Sequence, residues 1–438
     1  MCFYFLYYLE MKKFYIHTMG CKANQFESSI IQENLQNHGL ELVNKVQDAD
    51  IYILNSCSVT HKSDNEALYL LRAAKNKNPK LISVLTGCFA QVEKDNLLEY
   101  DFIDFVIGND EKLNLYKYIS ENINFHVNDI MQQTEFNKVE LIDTTKTRAS
   151  LKIQDGCDNR CTYCIIWKAR GKSRSADIPF IIDQINKFST NGFKEVMLTG
   201  IHIGQWGKDI GLTLLDLLKE IESKTTIERY RLGSLNPTEI TDEMLEFLKS
   251  SKKFCPHFHL SLQSANDKTL RSMNRFYKTE DYLTQINKIN ETFDLPFLGS
   301  DIIAGFAGET DDDFEITRLN LEKSGLTQIH TFPYSKRKGT IGEGLPDQNS
   351  DEIKNKRASV IKNISKVKFA EFINKNLNRQ VEVLVEKRRD KHTGNLKGMT
   401  RNYLTIQIVS DREDLFNSLQ YIKITKYENG ILFGELVD

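Results

Sequence analysis

The chain lacks several features that would assign it to a simple class. Its 58 basic residues are matched by 60 acidic ones, and a formal net charge of −2 excludes a globally basic nucleic-acid binder. No apolar run approaches the roughly 18 residues that cross a bilayer, and no secretory signal is present. The 8 cysteines of this 438-residue chain therefore do not suggest a disulfide framework. We expect a cytoplasmic enzyme of several domains with no membrane partner.

The N-terminal segment is apolar but carries neither the basic region nor the small-residue cleavage site of a signal peptide. Met11 and two lysines then lead directly into the first strand-like run. We therefore expect translation to start at Met11 rather than Met1, which leaves Cys2 without a role. A short membrane-interacting tail is the alternative interpretation.

Three of the cysteines lie on one short loop. Cys157, Cys161 and Cys164 form a C-x3-C-x2-C pattern directly after a strand-like segment. Three thiolates can hold three irons of a 4Fe–4S cube and leave the fourth iron open to a small molecule. Because electron-transfer clusters usually carry four cysteines, the missing ligand favours chemistry at this cluster. A zinc knuckle without its fourth ligand and scattered structural thiols are the alternatives.

Three more cysteines each follow an apolar run. Cys21, Cys57 and Cys88 come at the ends of such runs, and helical stretches separate them, as in the βα units of a parallel sheet. The strand ends of such a sheet share one edge, where ligands gather. The spacing therefore predicts a second metal cluster on these cysteines. Three buried core thiols are the alternative.

The pattern divides the chain into three domains. Residues 12–130 form an α/β unit with a parallel sheet, and a polar stretch at 127–147 has the composition of a linker. In the second domain, 145–370, helical stretches such as 212–221 and 244–248 alternate with strand-like runs. The runs are 150–154, 195–199, 229–232, 257–262, 299–304 and 328–332. Six βα repeats predict a partial (β/α)6 barrel whose site lies at the carboxyl ends of the strands, where the three-cysteine loop also lies.

The C-terminal part is rich in β-forming residues. A lysine-rich helical connector, 354–379, leads into strand-like runs at 380–385, 404–409 and 422–424. We therefore predict a small β-barrel domain at 371–438.

Basic residues are clustered locally in two places, beside the three-cysteine loop and on the β-rich domain. The residues expected to contact RNA are Arg170, Lys172, Arg174, Lys387, Arg388, Arg389 and Arg401. Because nearby acids almost balance the second cluster, an ordinary solvated hairpin is the alternative there.

Both cysteine sets resemble those of a known family. Residues 153–166 are similar to the signature of the radical S-adenosylmethionine (SAM) enzymes, and the order of parts resembles the radical SAM methylthiotransferases. Residues 18–25 with Glu27 are most similar to the branch that acts on N6-threonylcarbamoyladenosine in tRNA. At Lys22 the chain differs from the branches that act on isopentenyladenosine or on a ribosomal-protein aspartate. The run 398–403 resembles TRAM, an RNA-binding β-barrel.

The resemblance implies an enzyme that adds a methylthio group to carbon 2 of N6-threonylcarbamoyladenosine beside the tRNA anticodon. It implies two 4Fe–4S clusters, on the loop cysteines and on the N-terminal three, and two SAM per turnover. One SAM supplies a 5′-deoxyadenosyl radical that removes the hydrogen from carbon 2.

The implied partners are the tRNA anticodon stem-loop, a flavodoxin- or ferredoxin-like one-electron reductant and a sulfur donor, acting with a monomeric enzyme. Isopentenyladenosine in tRNA or an aspartate of a ribosomal protein is the alternative substrate. A non-catalytic RNA-binding iron–sulfur protein is the alternative class.

By the same resemblance, residues at successive strand ends are expected to contact SAM: Thr199, Gly200, Ser234, Ser261, Gln263 and Gly305. Each residue type is also common where a strand simply ends. We interpret His202 and His330 as packing or hydrogen-bonding residues and Cys255 as a structural thiol. The chain departs from the family pattern at three positions: Trp167, Gly233 and Ala307.

Overall fold

The computed structural model describes residues 12–95, 97–143 and 145–437. The predictions about Met1, Cys2 and Met11 lie outside these residues. The described chain folds into an α/β unit, an open α/β barrel and a closed five-stranded β-barrel, which confirms the predicted multidomain α/β class. Within the described ranges, no helix is both long enough and apolar enough to cross a bilayer.

The N-terminal unit is one parallel sheet with helices packed on it. Its strands are β1 (Lys13–Thr18), β2 (Glu41–Leu42), β3 (Ile51–Ser56), β4 (Ile82–Gly87), β5 (Phe105–Ile107) and β6 (Phe125–His126). Its helices are α1 (Lys22–Asn37), α2 (His61–Lys77), α3 (Cys88–Val92) and α4 (Leu115–Ser120). The strand order is β2-β1-β3-β4-β5-β6, and every neighbouring pair is parallel. The carboxyl ends of β1, β3 and β4 therefore meet at one edge.

The second unit is an open barrel wall. Its strands are β7 (Ala149–Lys152), β8 (Gln154–Asp155), β9 (Arg174–Ser175), β10 (Glu195–Thr199), β11 (Arg229–Leu232), β12 (Ser234–Leu235), β13 (His257–Leu260), β14 (Phe297–Ala304) and β15 (Gln328–Pro333). The order β7-β10-β11 makes one parallel sheet and β12-β13-β14-β15 the next. Because β11 leads into β12 across Gly233, the two sheets form one curved wall. All six predicted strand-like runs form strands of this wall.

Helices follow most of these strands: α5 (Ile166–Arg170), α6 (Ile178–Thr190), α7 (Leu214–Lys224), α8 (Asp242–Ser250), α9 (Asp267–Ser272), α10 (Thr279–Thr292), α11 (Asp311–Lys323) and α12 (Asp351–Asn376). The starts of α6, α7 and α8 are capped by the side chains of Asp177, Thr213 and Thr241, each of which accepts a backbone N–H bond. The apolar sides of these helices pack on the outer face of the wall in one continuous core. The inner, concave face of the wall is therefore left for a site.

The C-terminal unit is a closed barrel. Its strands are β16 (Gln380–Val385), β17 (Leu396–Thr400), β18 (Thr405–Ile408), β19 (Leu419–Glu428) and β20 (Ile431–Leu436). The barrel closes in the order β16-β17-β18-β20-β19, with only the β18–β20 pair parallel among these described strands. Helix α12 leads into it, so the domain boundary expected at residue 370 falls inside this helix.

Candidate functional site

The N-terminal cysteines lie on neighbouring strand ends. Cys21 follows β1, Cys57 follows β3, and Cys88 opens α3 directly after β4. Gly20 packs so closely on Cys57 that a Cβ there would lie 2.8 Å from its Sγ. Burial, followed by the neighbouring Cys88 thiol, raises the pKa of Cys57 to about 12. Because metal ligands must be thiolates, binding at this edge is coupled to proton release.

The second cysteine set lies on a tight loop at the carboxyl end of the barrel wall. Gly156 begins this loop with a φ of +74°, and a Cβ there would lie 1.8 Å from the carbonyl oxygen of Lys172. Only glycine fits such a position. The amide of Cys164 donates to the carbonyl of Cys161 at 3.0 Å, which closes the turn. Burial raises the pKa of both Cys157 and Cys164 to about 12.

Arg275 ties this loop to two strand ends. Its Nη1 donates to Sγ of Cys161 at 3.2 Å. Its Nη2 donates to Oδ1 of Asn236 and to the carbonyl of Ser261 at 3.3 Å. Asn236 lies just after β12 and Ser261 directly after β13. A single guanidinium therefore fixes the cysteine loop relative to the barrel strands.

His202 makes a similar link from the end of β10. Its Nδ1 lies 3.5 Å from Sγ of Cys157, and its Nε2 lies 2.5 Å from Oε1 of Glu239. Burial opposes ionisation of Glu239, but the hydrogen bond and charge of His202 together with the hydrogen bonds from Asn236 outweigh it and hold the pKa of Glu239 below its usual value. The predicted hydrogen-bonding role of His202 is confirmed.

A buried charge network joins the two cysteine sites. The carboxylate of Glu27, on α1, contacts Arg170 at 2.5 Å, Lys112 at 2.7 Å and Lys152 at 2.8 Å. Arg170 ends the helix that follows the cysteine loop, and its Nε donates to Sγ of Cys88 at 3.4 Å. Burial disfavours the charged form of Glu27, but the three cations outweigh burial and set its pKa well below its usual range. One guanidinium thus links the N-terminal site to the barrel loop.

The buried side chains at this junction carry more positive than negative charge. The four cations, each at most 4% exposed, are Lys112, Lys152, Arg170 and Arg174, and the three carboxylates are Glu27, Asp155 and the half-buried Asp110 beside Arg174. Because buried charge requires compensation, this surplus suits an anionic group at Cys88, such as an iron–sulfur cluster held by thiolates. Among the described residues, no three His, Cys, Asp or Glu side chains are grouped to hold a single metal ion.

The strand-end residues expected to contact SAM lie along one rim. Thr199 is the last residue of β10 and Gly200 follows it, and the Thr199 side chain is buried. Gln263 has a left-handed φ of +72°, and its amide donates to the Asp301 carbonyl at 2.8 Å. The amide of Gly305 donates to Oε2 of Glu309 at 2.8 Å.

The other two expected SAM contacts already have protein partners. The carbonyl of Ser261 accepts from the Tyr277 hydroxyl at 2.5 Å, besides the bond from Arg275. The hydroxyl of Ser234 lies 2.9 Å from Nδ1 of His259. Contact of these rim residues with SAM stays a prediction.

Two of the residues expected to bind RNA are buried, and their prediction is wrong. Arg170 is 1% exposed and is used in the charge network of Glu27. Arg174 is 4% exposed, and its Nη1 donates to the carbonyls of Arg170 and Lys172 at 3.0 Å. Their position beside the cysteine loop reflects a structural role at the domain junction. Lys172 is exposed, and its contact with RNA stays a prediction.

Arg401 is partly buried, with 28% of its side chain exposed, and its contact with RNA stays a prediction. Its guanidinium donates to the carbonyls of Lys252 and Phe254 at 2.7 Å and pairs with Glu382 at 3.2 Å. In the same turn, Tyr403 stacks beside His257 with ring centroids 4.0 Å apart. The run that resembles TRAM therefore also packs against the base of the barrel wall.

The remaining basic residues lie on the connection between β16 and β17. Arg388 is exposed, whereas Lys387 places its ammonium 4.9 Å from the centre of the Phe193 ring. Arg389 donates to the Ser410 carbonyl at 2.9 Å. This connection stays the predicted RNA surface.

Sequence reasoning missed Arg275 and Lys112. Arg275 contacts Cys161 across 114 positions of sequence, and Lys112 contacts Glu27 only after α1 packs against the N-terminal sheet. Neither lies in a recognisable motif. In the charge network, only Glu27 had a sequence signal, because it lies close to the family-like segment around Cys21.

Two family models match the chain. One, described as Uncharacterized protein family UPF0004, matches residues 13–108, and the Radical SAM superfamily matches residues 151–319. A relative from Aquifex aeolicus, named Threonylcarbamoyladenosine tRNA methylthiotransferase MtaB, is 35% identical over 396 residues, 89% of this chain and 95% of the relative. A relative from Clostridium botulinum, named tRNA-2-methylthio-N(6)-dimethylallyladenosine synthase, is 32% identical and covers 97% of this chain and 96% of the relative.

The fold is also similar to a solved structure. The radical SAM methyltransferase TsrM from Kitasatospora setae, with tryptophan and a SAM analog bound, aligns with a TM-score of 0.54 and 12% identity. The alignment covers 73% of this chain and 72% of that chain. At this identity the likeness shows the fold alone.

The two matched models, the relatives that match along nearly their whole length and the paired cysteine sites agree with one another. SAM and two 4Fe–4S clusters are the cofactors of such an enzyme. The chain therefore belongs to the radical SAM methylthiotransferase family.

Proposed function

We propose that this protein adds a methylthio group to carbon 2 of N6-threonylcarbamoyladenosine beside the anticodon of tRNA. The observation that carries the proposal is the direct link between the two cysteine sites through Arg170, which contacts Cys88 from the helix following Cys164. Two joined cluster sites suit a reaction that both activates a carbon and delivers sulfur to it. The name of the Aquifex aeolicus relative supports the choice of base.

In this proposal the first cluster is held by Cys21, Cys57 and Cys88, and the second cluster, with SAM, by Cys157, Cys161 and Cys164. When bound, these groups supply the radical that removes the carbon 2 hydrogen and the sulfur that replaces it. The chain supplies ligation, orientation and exclusion of water. Arg275 and His202 hold the barrel loop on the strand ends, and Arg170 holds the N-terminal edge against that loop.

The rim residues border the proposed SAM position. Gly200 packs closely against Gln154, because a Cβ on residue 200 would lie only 2.8 Å from the Gln154 carbonyl oxygen. The residue at this position therefore has no side chain that could cover its backbone. Thr199, Ser261, Gln263 and Gly305 continue this rim along the neighbouring strands. We propose that SAM binds along this rim.

The proposed partner is the anticodon stem-loop, whose target base is unstacked and reached on the concave side of the wall. Lys172, Lys387, Arg388 and Arg389 are the proposed phosphate contacts. We also propose a monomer that works in the cytoplasm, where thiols stay reduced, with a flavodoxin- or ferredoxin-like protein as its reductant.

Mass spectrometry of tRNA nucleosides tests the proposal in cells that lack their own methylthiotransferases. Expression of this chain is expected to produce the 2-methylthio form of N6-threonylcarbamoyladenosine. A Cys157→Ser chain expressed to the same level is the matched control and should produce none. A 2-methylthio form of isopentenyladenosine instead would contradict the choice of base, and an unchanged nucleoside pattern with both clusters loaded would contradict a tRNA substrate.

A further inference from the structure

A row of polar side chains crosses the concave face of the barrel wall. Ser234 on β12, His259 on β13, Asp301 on β14 and His330 on β15 occupy neighbouring strands. Ser234 pairs in register with His259, and Asp301 pairs with His330. None of these side chains contacts a cysteine in the described part of the chain. Apart from the predicted contact of Ser234 with SAM, the proposed function gives this row no role.

Strand alternation shows that this row faces inward. On β15, Ile329 and Thr331 are buried, and the Ile329 amide donates to Oγ of Ser365, which lies on α12 on the outer side. His330, which lies between these two residues, and Phe332, which follows them, are both exposed, and the exposed fraction of Phe332 is 47%. Because successive side chains point to opposite faces, His330 and Phe332 line the concave side.

The row is held by hydrogen bonds. The Ser234 hydroxyl lies 2.9 Å from Nδ1 of His259, and Nε2 of His259 lies 3.2 Å from Oδ1 of Asp301. The carboxylate of Asp301 favours a proton on Nε2, so Nδ1 accepts from the Ser234 hydroxyl. The ring of His330 lies beyond, with its centroid 5.9 Å from that of His259. The Ser234 lone pairs and the second oxygen of Asp301 are then acceptors that the row itself does not use.

The row lies one layer below the cysteine loop. Ser234 precedes Asn236 by two residues, and His259 precedes Ser261 by two; both of these later residues bind Arg275, which binds Cys161. Two residues of strand span about 7 Å. A base that lay between the cysteine loop and this row would therefore present its substituent to the row.

We propose that Ser234, His259, Asp301 and His330 recognise the hydrogen-bonding N6 substituent of the target adenine. This inference rests on the proposed function. The threonylcarbamoyl group brings ureido N–H and hydroxyl donors for the acceptors of Ser234 and Asp301, and oxygens for the His330 ring. An isopentenyl chain would exclude water from the same polar groups without forming hydrogen bonds to them, and leaving polar groups desolvated and unbonded costs binding free energy. The row thus selects the polar substituent over the apolar one.

The test measures RNA binding by the full, cluster-loaded chain. Anticodon stem-loop RNAs carry N6-threonylcarbamoyladenosine, isopentenyladenosine or plain adenosine at the same position, and fluorescence anisotropy gives each Kd. We expect Ser234→Ala and Asp301→Leu each to weaken binding of the threonylcarbamoyl RNA about 10-fold, as for the loss of one hydrogen bond to a charged or bound partner, and to leave plain adenosine RNA unchanged. Asp301→Asn keeps an acceptor oxygen and should lose less.

Asp312→Asn, an exposed carboxylate on α11, is the matched control and should behave as the wild type. Iron content and SAM affinity are measured for each variant, so a folding defect is seen separately. Two results would overturn the inference: equal weakening of binding for all three RNAs, or weaker SAM binding by Ser234→Ala with unchanged RNA selectivity. In either case, turnover of the threonylcarbamoyl RNA by the wild type would still support the proposed function. If the wild type does not methylthiolate that RNA, the proposed function and the inference both fail.

Discussion

Replacing Glu27 with glutamine keeps the size of the side chain but removes a buried negative charge. The carboxylate is 1% exposed and lies within 3 Å of Arg170, Lys112 and Lys152. Removing one partner of a buried ion pair leaves the other charge uncompensated, which costs about 3–5 kcal/mol. We therefore expect Glu27→Gln to lower the free energy of unfolding of the metal-free chain by about that amount.

The assay is urea unfolding at neutral pH, read as the midpoint and slope of the transition that involves the N-terminal unit. Glu243→Gln is the matched control, because Glu243 pairs with Lys219 at 2.8 Å while their side chains are 71% and 48% exposed. An exposed pair of this kind contributes at most about 1 kcal/mol.

A double variant tests the cause. Adding Lys112→Met to Glu27→Gln removes one of the uncompensated cations, so part of the lost stability should return. Equal midpoints for Glu27→Gln and Glu243→Gln would refute the view that this carboxylate holds the two cysteine-bearing units together.

Three further outcomes follow from the site. Cys157→Ser should abolish SAM cleavage, measured as 5′-deoxyadenosine, whereas Cys21→Ser should keep cleavage and stop sulfur insertion, measured as methylthiolated nucleoside. Methylthiolation by either variant would contradict the roles of the two sites. Gly156→Ala should sharply lower the iron bound by the barrel loop, because its Cβ would lie 1.8 Å from a carbonyl oxygen, whereas Gly211→Ala, at a similar positive φ but with nothing within 4 Å, should bind iron normally. Burial opposes ionisation of Glu195, but its ion-pair partners Arg231 and Arg229 outweigh burial and lower the pKa of Glu195 from 4.5 to about 2. The stabilisation by Glu195 is therefore complete above about pH 4.5 and is lost as the pH falls towards 2. Glu195→Gln should remove about 3 kcal/mol of this acid-dependent stability in urea titrations, and an unchanged pH profile would contradict it.

The strands of the barrel wall were predictable because their signal is local. Each of the six runs carries its own β-forming pattern, and each forms a strand close to the predicted bounds. The same holds for Cys21, Cys57 and Cys88, whose positions just after apolar runs place them at one sheet edge. Periodicity and strand order suffice for such features.

The charges were harder to predict because their roles depend on tertiary packing. Arg170 reads as an exposed cation in a basic run, yet it meets Glu27 across 143 positions of sequence and is buried. Arg401 likewise has partners in the barrel unit, Lys252 and Phe254, that its position in the sequence does not indicate. The exposure of His330 on the concave face depends on the register of β15, which the sequence pattern alone does not indicate.

The most direct measurement of the central claim uses the purified, cluster-loaded chain, SAM, a one-electron reductant and an anticodon stem-loop containing N6-threonylcarbamoyladenosine. Mass spectrometry counts the products of each reaction. We predict the 2-methylthio nucleoside together with one 5′-deoxyadenosine and one S-adenosylhomocysteine per turnover. Cleavage of SAM to 5′-deoxyadenosine without any methylthio product on this RNA would contradict the claim.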